Sequence, residues 1–153
     1  RAMGIRLNVP LVKQFAAGEC WYACVCMIAW YRTAGPRIGL PDVWIKNNGL
    51  ESNDFIKLAE AEGMKSCSNP PQLTEFTASD LEILLRQHGP IWCAGVWDGP
   101  EHVIVLTGVE GEIVYFNDPN GGLARQKSLE WFNGKLCSWI PNCMMYMPPG
   151  GGR

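Results

Sequence analysis

Ten consecutive residues after Trp21, Y-A-C-V-C-M-I-A-W-Y, carry no charge and offer water no polar face. At this length the run suits three or more turns of helix better than one strand. A helix apolar nearly all round is stable only when surrounded, so residues 20 to about 32 are expected as a central buried helix. Gly35-Pro36 ends it. The rest of the chain must therefore wrap this helix, and 153 residues are enough to build a substantial core around it as one domain, 1–153. Residues 1–8 and 148–153 are expected to be flexible ends, and the start at Arg1 reads as that of a domain excised from a longer chain.

Around that helix the pattern divides the chain in two. Pro41 opens a short helix over Asp42 to Lys46, with Gly49 as its stop. Ser52-Asn53 precedes a helix from Asp54 to Glu62 closed by Gly63, and Thr77-Ala-Ser-Asp80 resembles a capping box ahead of Leu81 to Gln87. After Gly89-Pro90 the period changes to that of strands: Ile91 to Trp97, His102 to Val109 and Glu112 to Asn117, the last two joined by a tight Glu110-Gly111 turn. Ser128 to Phe132 suggests a helical turn, and Leu136 to Met147 one or two final strand pieces. The fold class is α+β: an N-terminal helical half and a C-terminal antiparallel sheet.

A net charge of −2 without a basic cluster excludes a nucleic-acid surface as the main function, and the longest apolar run is far short of the ~20 residues of a membrane span. No cofactor motif appears. The cysteines are 20, 24, 26, 67, 93, 137 and 143, with no C-x-x-C pair, and Cys24-x-Cys26 on a helix is a poor metal clip, so no metal site is expected. Six of the seven read as small buried hydrophobes, with a Cys137–Cys143 bridge left open.

Cys20 is different because of what precedes it. It opens the buried helix, where the backbone N–H groups of the first turn favour a thiolate. A nucleophilic thiol needs a base, and there are two histidines. His88, at a helix end before Gly89-Pro90, reads as a C-terminal cap. His102 opens a strand at a loop mouth, held and accessible. Across the Glu110-Gly111 hairpin the next strand ends in Asn117-Asp118-Pro119, sixteen residues on, where a carboxylate can fix the imidazole tautomer. Gln14, six residues before Cys20 across an Ala-Ala-Gly loop, can supply an amide to a developing oxyanion. Singly, His102 reads as an edge-strand histidine and Asp118 as an ordinary Asp-Pro turn; the ordered set carries the weight.

Gln14-x5-Cys20-Trp21 together with H-V-I-V-L-T-G-V-E-G-E-I-V-Y-F-N-D-P-N-G-G resembles the papain-like cysteine peptidases in their compact bacterial branch, from about Val9 to Phe132. The two similar groups are double-glycine leader peptidase domains of bacteriocin exporters and papain-like effector proteases injected into host or rival cells. The resemblance implies Cys20 as nucleophile, His102 as base and acid, Asp118 as orienting group and Gln14 as oxyanion donor. Papain itself has an asparagine in the third place, which makes Asn117 a rival; the Asp-Pro aspartate is the position used in the bacterial branch. It further implies a monomeric endopeptidase acting on proteins or peptides, at Gly-Gly sites in a cleft walled by Trp21 and Trp97. Such an enzyme would be secreted or injected, and an antibacterial toxin would have a cognate immunity protein. A Cys-His-Asp acyltransferase, deamidase or transglutaminase and a bacteriocin leader-processing domain are the alternatives, with a non-enzymatic binding module behind them.

Overall fold

The structure is a computed structural model that describes residues 4–32, 49–67 and 75–150. Its described elements run β1 (Gly4–Arg6), α1 (Cys20–Arg32), α2 (Phe55–Glu62), β2 (Lys65–Ser66), α3 (Ala78–His88), β3 (Ile91–Gly95), β4 (His102–Glu110), β5 (Ile113–Asp118), β6 (Leu123–Ser128), α4 (Leu129–Lys135) and β7 (Met144–Tyr146). The strands form one antiparallel sheet in the order β2-β7-β3-β4-β5-β6, and β1 joins the β3 edge of β4 beyond the end of β3. The class is α+β, with helices packed on one antiparallel sheet. The helix expected over Pro41 to Lys46 lies outside the described residues.

Side chains alternate across the two central strands. Trp92, Ala94, Val103 and Val105 pack on one face against α1 and against Phe55, Leu58 and Ala59 of α2. Ile91, Cys93, Ile104 and Leu106 face the other way, onto Leu81 and Leu85 of α3 and Leu129 and Phe132 of α4. A sheet covered on both faces explains why β3 and β4 read as continuous apolar runs rather than alternating ones. Within α1, residues 23 to 29 are all buried, Val25 and Met27 completely. Each fully buried side chain of that size contributes about 1.5–3 kcal/mol.

Local signals set the helix ends. The Thr77 hydroxyl accepts from the Asp80 N–H at 3.0 Å while the Asp80 carboxylate accepts from the Thr77 N–H at 2.9 Å. Gly63 closes α2 in the left-handed region at φ 74°. Ser128 caps α4, and Gly111 turns the hairpin at φ 57°.

Residues 4–7, expected within a flexible end, are held by the sheet. Gly4, Ile5 and Arg6 pair with Glu110, Val109 and Gly108, the Leu7 N–H donates to the Thr107 carbonyl at 2.9 Å, and Arg86 donates to the Gly4 carbonyl at 2.9 Å. The second half of β4 outruns β3, and its open edge is what β1 fills. At the other end, β7 stops at Tyr146 and residues 147–150 form no helix or strand.

One irregularity governs the site. Val109 and Gly108 of β4 pair with Val114 and Tyr115, but Leu106 pairs with Phe116 and Val105 with Asn117, so Thr107 is an extra, bulged residue. Beyond the bulge Asp118 falls opposite Ile104 and shares the face of His102. Had Thr107 stayed in the ladder, Asn117 would have taken that face.

Candidate active site

Cys20 is the first residue of α1, preceded by a tight turn over Ala17–Glu19, and is half-buried. The loop before it is pinned at both ends. The Phe15 N–H donates to the Glu19 carboxylate at 3.2 Å, and the Gln14 N–H donates to the Pro119 carbonyl at 2.9 Å. That second bond joins the cysteine loop directly to the Asp118-Pro119 turn, although the two are a hundred residues apart in sequence.

His102 begins β4 at the sheet's end facing the start of α1. Its Nε2 lies 2.8 Å from Asp118 Oδ1, and the ring also makes a side-chain hydrogen bond with Cys20. With Nε2 engaged by the carboxylate, Nδ1 is the nitrogen turned to sulfur. Burial alone would lower the histidine pKa, but the hydrogen bonds to Asp118 and Cys20 override it and raise it to about 9. The structure thus brings Cys20, His102 and Asp118 into one hydrogen-bonded chain. Asn117 turns the other way and donates from Nδ2 to the Val9 carbonyl at 3.1 Å.

Asp118 is nearly inaccessible, its side chain 3 % exposed. Burial would push its carboxyl pKa up, yet donors hold it below its ordinary value: His102 first, then Arg125, then the Asn120 N–H. Arg125 lies 2.6 Å from Asp118 Oδ2 and also forks onto Asp98 at 2.8 and 3.2 Å. Neither Arg125 nor Asp98 stands out in the sequence as a site residue.

Gln14 adopts a different arrangement from the one expected. Its Nε2 donates to the carbonyls of Ala16 at 2.9 Å and Ala17 at 3.3 Å, and its Oε1 is buried without a hydrogen-bond partner among the described residues. The amide is turned onto its own loop, and Gln14 is not a lining residue of the cleft beside Cys20.

That cleft has a volume of about 250 Å³, with Cys20, Trp21 and His102 on one side and Leu50, Phe55 and Ile140 among its apolar walls. Trp21 lines it but is 1 % exposed, held as its floor while its carbonyl accepts from Trp92 Nε1 at 3.2 Å. Trp97 is not a wall. It is equally buried on the far side of the sheet, stacked on Phe132 at 5.3 Å and beside Trp131 at 5.2 Å, and its Nε1 donates to the Cys93 carbonyl. The ring folds back over Gly95, where a Cβ would meet it at 2.5 Å. An aromatic of this size gains more from that core than from a wet cleft.

The other thiols behave as packing. All seven cysteines are free, so Cys137 and Cys143 are unbridged. Burial pushes Cys67 up to about 12 and Cys137 and Cys143 up to about 11, and Cys24 donates its thiol to the Val103 carbonyl at 3.4 Å. Among the described residues no group of three or more His, Cys, Asp or Glu is placed to hold a metal ion, and no helix is long and apolar enough to cross a membrane.

A cysteine at the head of a buried helix, facing a histidine on an antiparallel sheet, is the arrangement of a papain-like cysteine protease, and the protein is a hydrolase of that class. More particularly, the chain belongs to the family of the papain-like cysteine protease AvrRpt2, which matches residues 3–137. Among solved structures it is similar to a double glycine motif protease from an AMS/PCAT transporter, in complex with the leader peptide. That similarity has a TM-score of 0.59 and 21 % identity over 93 % of this chain and 91 % of the other. At this identity the agreement is one of fold.

Proposed function

We propose that the protein is an endopeptidase in which Cys20 is the nucleophile, His102 the base and acid, and Asp118 the group that orients the imidazole. The observation that carries this reading is the continuous chain from Cys20 through His102 to Asp118, with 2.8 Å between the histidine and the carboxylate. The Cys20 thiol gives its proton to His102 Nδ1, and the sulfur attacks the scissile carbonyl carbon. The resulting oxyanion is received by the Cys20 backbone N–H and by Gln14, which must release its longer bond to Ala17 to serve. Collapse of the tetrahedral species breaks the C–N bond. The imidazolium protonates the leaving amine, and the thioester remains. His102 then takes a proton from water, whose oxygen displaces the sulfur and frees the acid.

The substrate is a protein or peptide. Two glycines before the scissile bond, a secreted or injected effector or toxin role, and a cognate inhibitor protein over the cleft all belong to this proposal, on the strength of the family resemblance. The apolar walls Leu50, Phe55 and Ile140 leave room for a larger apolar side chain further along the substrate. Leader processing is the second reading, favoured by the fold shared with a leader-bound protease. Incubation of wild type and Cys20→Ala with a target-cell lysate, followed by N-terminal sequencing of new fragments, tests the proposal. Fragments are expected only with wild type. A mass gain of one unit at constant chain length would mean deamidation instead, and unchanged cleavage by Cys20→Ala would overturn the assignment.

A further inference from the structure

Asp118 carries three donors on two oxygens: His102 Nε2 and the Asn120 N–H on Oδ1, at 2.8 and 3.0 Å, and Arg125 on Oδ2. The sheet register explains how. Asp118 pairs with Leu123 and Phe116 with Arg125, so Asp118 and Arg125 are diagonal neighbours on one face, as His102 and Asp118 are across β4 and β5. His102, Asp118 and Arg125 form a slanted row over three adjacent strands. Arg125 continues it to Asp98, four residues before His102 in the loop that delivers the histidine, and its guanidinium lies 5.1 Å from the Phe116 ring centre.

We propose that Arg125 is a positioning residue of the catalytic site and that Asp98 is its anchor. This rests on the assignment of Cys20, His102 and Asp118 above. A buried carboxylate has a soft terminal torsion and is easily protonated when unpaired. Arg125 removes both freedoms, holding Oδ2 so that Oδ1 stays aimed at His102. Its planar fork reaches two carboxylates at once, which a lysine ammonium on one flexible stem cannot reproduce. By gripping Asp98 as well, it ties the loop bearing His102 to the carboxylate that orients the ring. Without that grip the imidazole can drift by the ångström or so that costs about a hundredfold in rate.

The test uses Arg125→Met, Arg125→Lys and Asp98→Asn beside Cys20→Ala. The first readout is the rate of Cys20 alkylation by iodoacetamide against pH, followed residue by residue by mass spectrometry. The second is cleavage of a quenched-fluorescent peptide containing Gly-Gly, with rates normalised to alkylatable Cys20. Arg125→Met should lower kcat by about 10²-fold with KM within about twofold, and should move the acid limb of Cys20 alkylation to higher pH, because Asp118 loses a donor that helps hold its carboxyl ionised behind His102. Arg125→Lys should keep that limb near its wild-type position while recovering only part of kcat, and Asp98→Asn should lose less than either. If Arg125→Met fails to fold, the Lys and Asn variants still decide. A wild-type alkylation profile in Arg125→Met, or a displaced acid limb in Arg125→Lys, overturns the proposal, as does a loss of activity that tracks only the folded fraction. Retained activity in Cys20→Ala would instead overturn the catalytic assignment beneath it.

Discussion

Asp118→Asn is nearly isosteric, yet the geometry predicts a large loss and an unusual rescue. The carboxylate accepts on both oxygens, from His102 and the Asn120 N–H on one and from Arg125 on the other. An asparagine has one acceptor. If its oxygen faces His102, its NH2 group meets the guanidinium at the 2.6 Å position, donor against donor. The charged Arg125 bond is the stronger, so the amide turns its oxygen there and points NH2 at His102 Nε2. That locks the imidazole with its proton on Nδ1, where it cannot accept one from Cys20. The histidine also loses the carboxylate that helps raise its pKa from 6.5 to about 9. Discounted for partial solvent screening, that rise corresponds to about 2–3 kcal/mol of preference for imidazolium, which Asp118 shares with Cys20. A wrong tautomer in a comparable triad costs about 10⁴-fold, and a loss of ~10³–10⁴ in kcat/KM is expected for Asp118→Asn. Adding Arg125→Met should then increase activity, because the amide is free to turn its oxygen to the histidine. Steady-state cleavage of a fluorogenic peptide by the two single variants and the double variant measures this. A double variant no faster than Asp118→Asn, or a single variant within tenfold of wild type, would refute the reasoning.

Three further outcomes follow from the same geometry. Trp97→Ala should destabilise the protein by about 3–5 kcal/mol in urea unfolding and leave KM unchanged, since the ring fills the core beneath α4 rather than the cleft. Gln14→Ala should lower kcat by ~10²–10³ if the amide leaves its loop carbonyls to meet the oxyanion; a loss below threefold would show that it stays turned to Ala16 and Ala17. Stability should also depend on pH in opposite senses at the two ends. The His102 pKa is raised, so its contribution is complete below pH 6.5 and is lost as pH climbs through about 9. The Asp118 pKa is lowered, so its contribution is present above about pH 3.8 and is lost on further acidification. Melting temperatures of wild type and His102→Ala should therefore converge at alkaline pH.

What the chain revealed in advance depended on how each feature is encoded. The buried helix declares itself because Trp21 to Tyr31 has no polar face, and the α3 cap because Thr77 and Asp80 stand three residues apart. Cys20, His102 and Asp118 could be matched because histidines are scarce and a hairpin fixes which strand ends meet. By contrast β6, L-A-R-Q-K-S, is largely exposed and so lacks the apolar alternation that marks a half-buried strand. Arg125 sits in that unmarked stretch, and nothing local says which carboxylates it will reach. For β1, three residues carry too little pattern, and what holds them is the uncovered edge of a strand a hundred residues away. Trp97 could equally have faced a cleft or a core. The choice is made by Gly95, whose missing side chain leaves room for the ring.

The bulge at Thr107 acts as a selector between two adjacent side chains of different chemistry. Asn117 and Asp118 are separated by one step of the β5 ladder, and a slip of that single step would replace the carboxylate behind the histidine with an amide without altering the sequence. The selector is itself fastened from outside the site. Leu7 bonds the Thr107 carbonyl, and Gly108 lies so close to β1 that a Cβ there would meet the Ile5 carbonyl at 2.6 Å. The short N-terminal strand lies outside the proposed site, yet it works as a register lock, and which of the two side chains stands behind His102 is inherited from it.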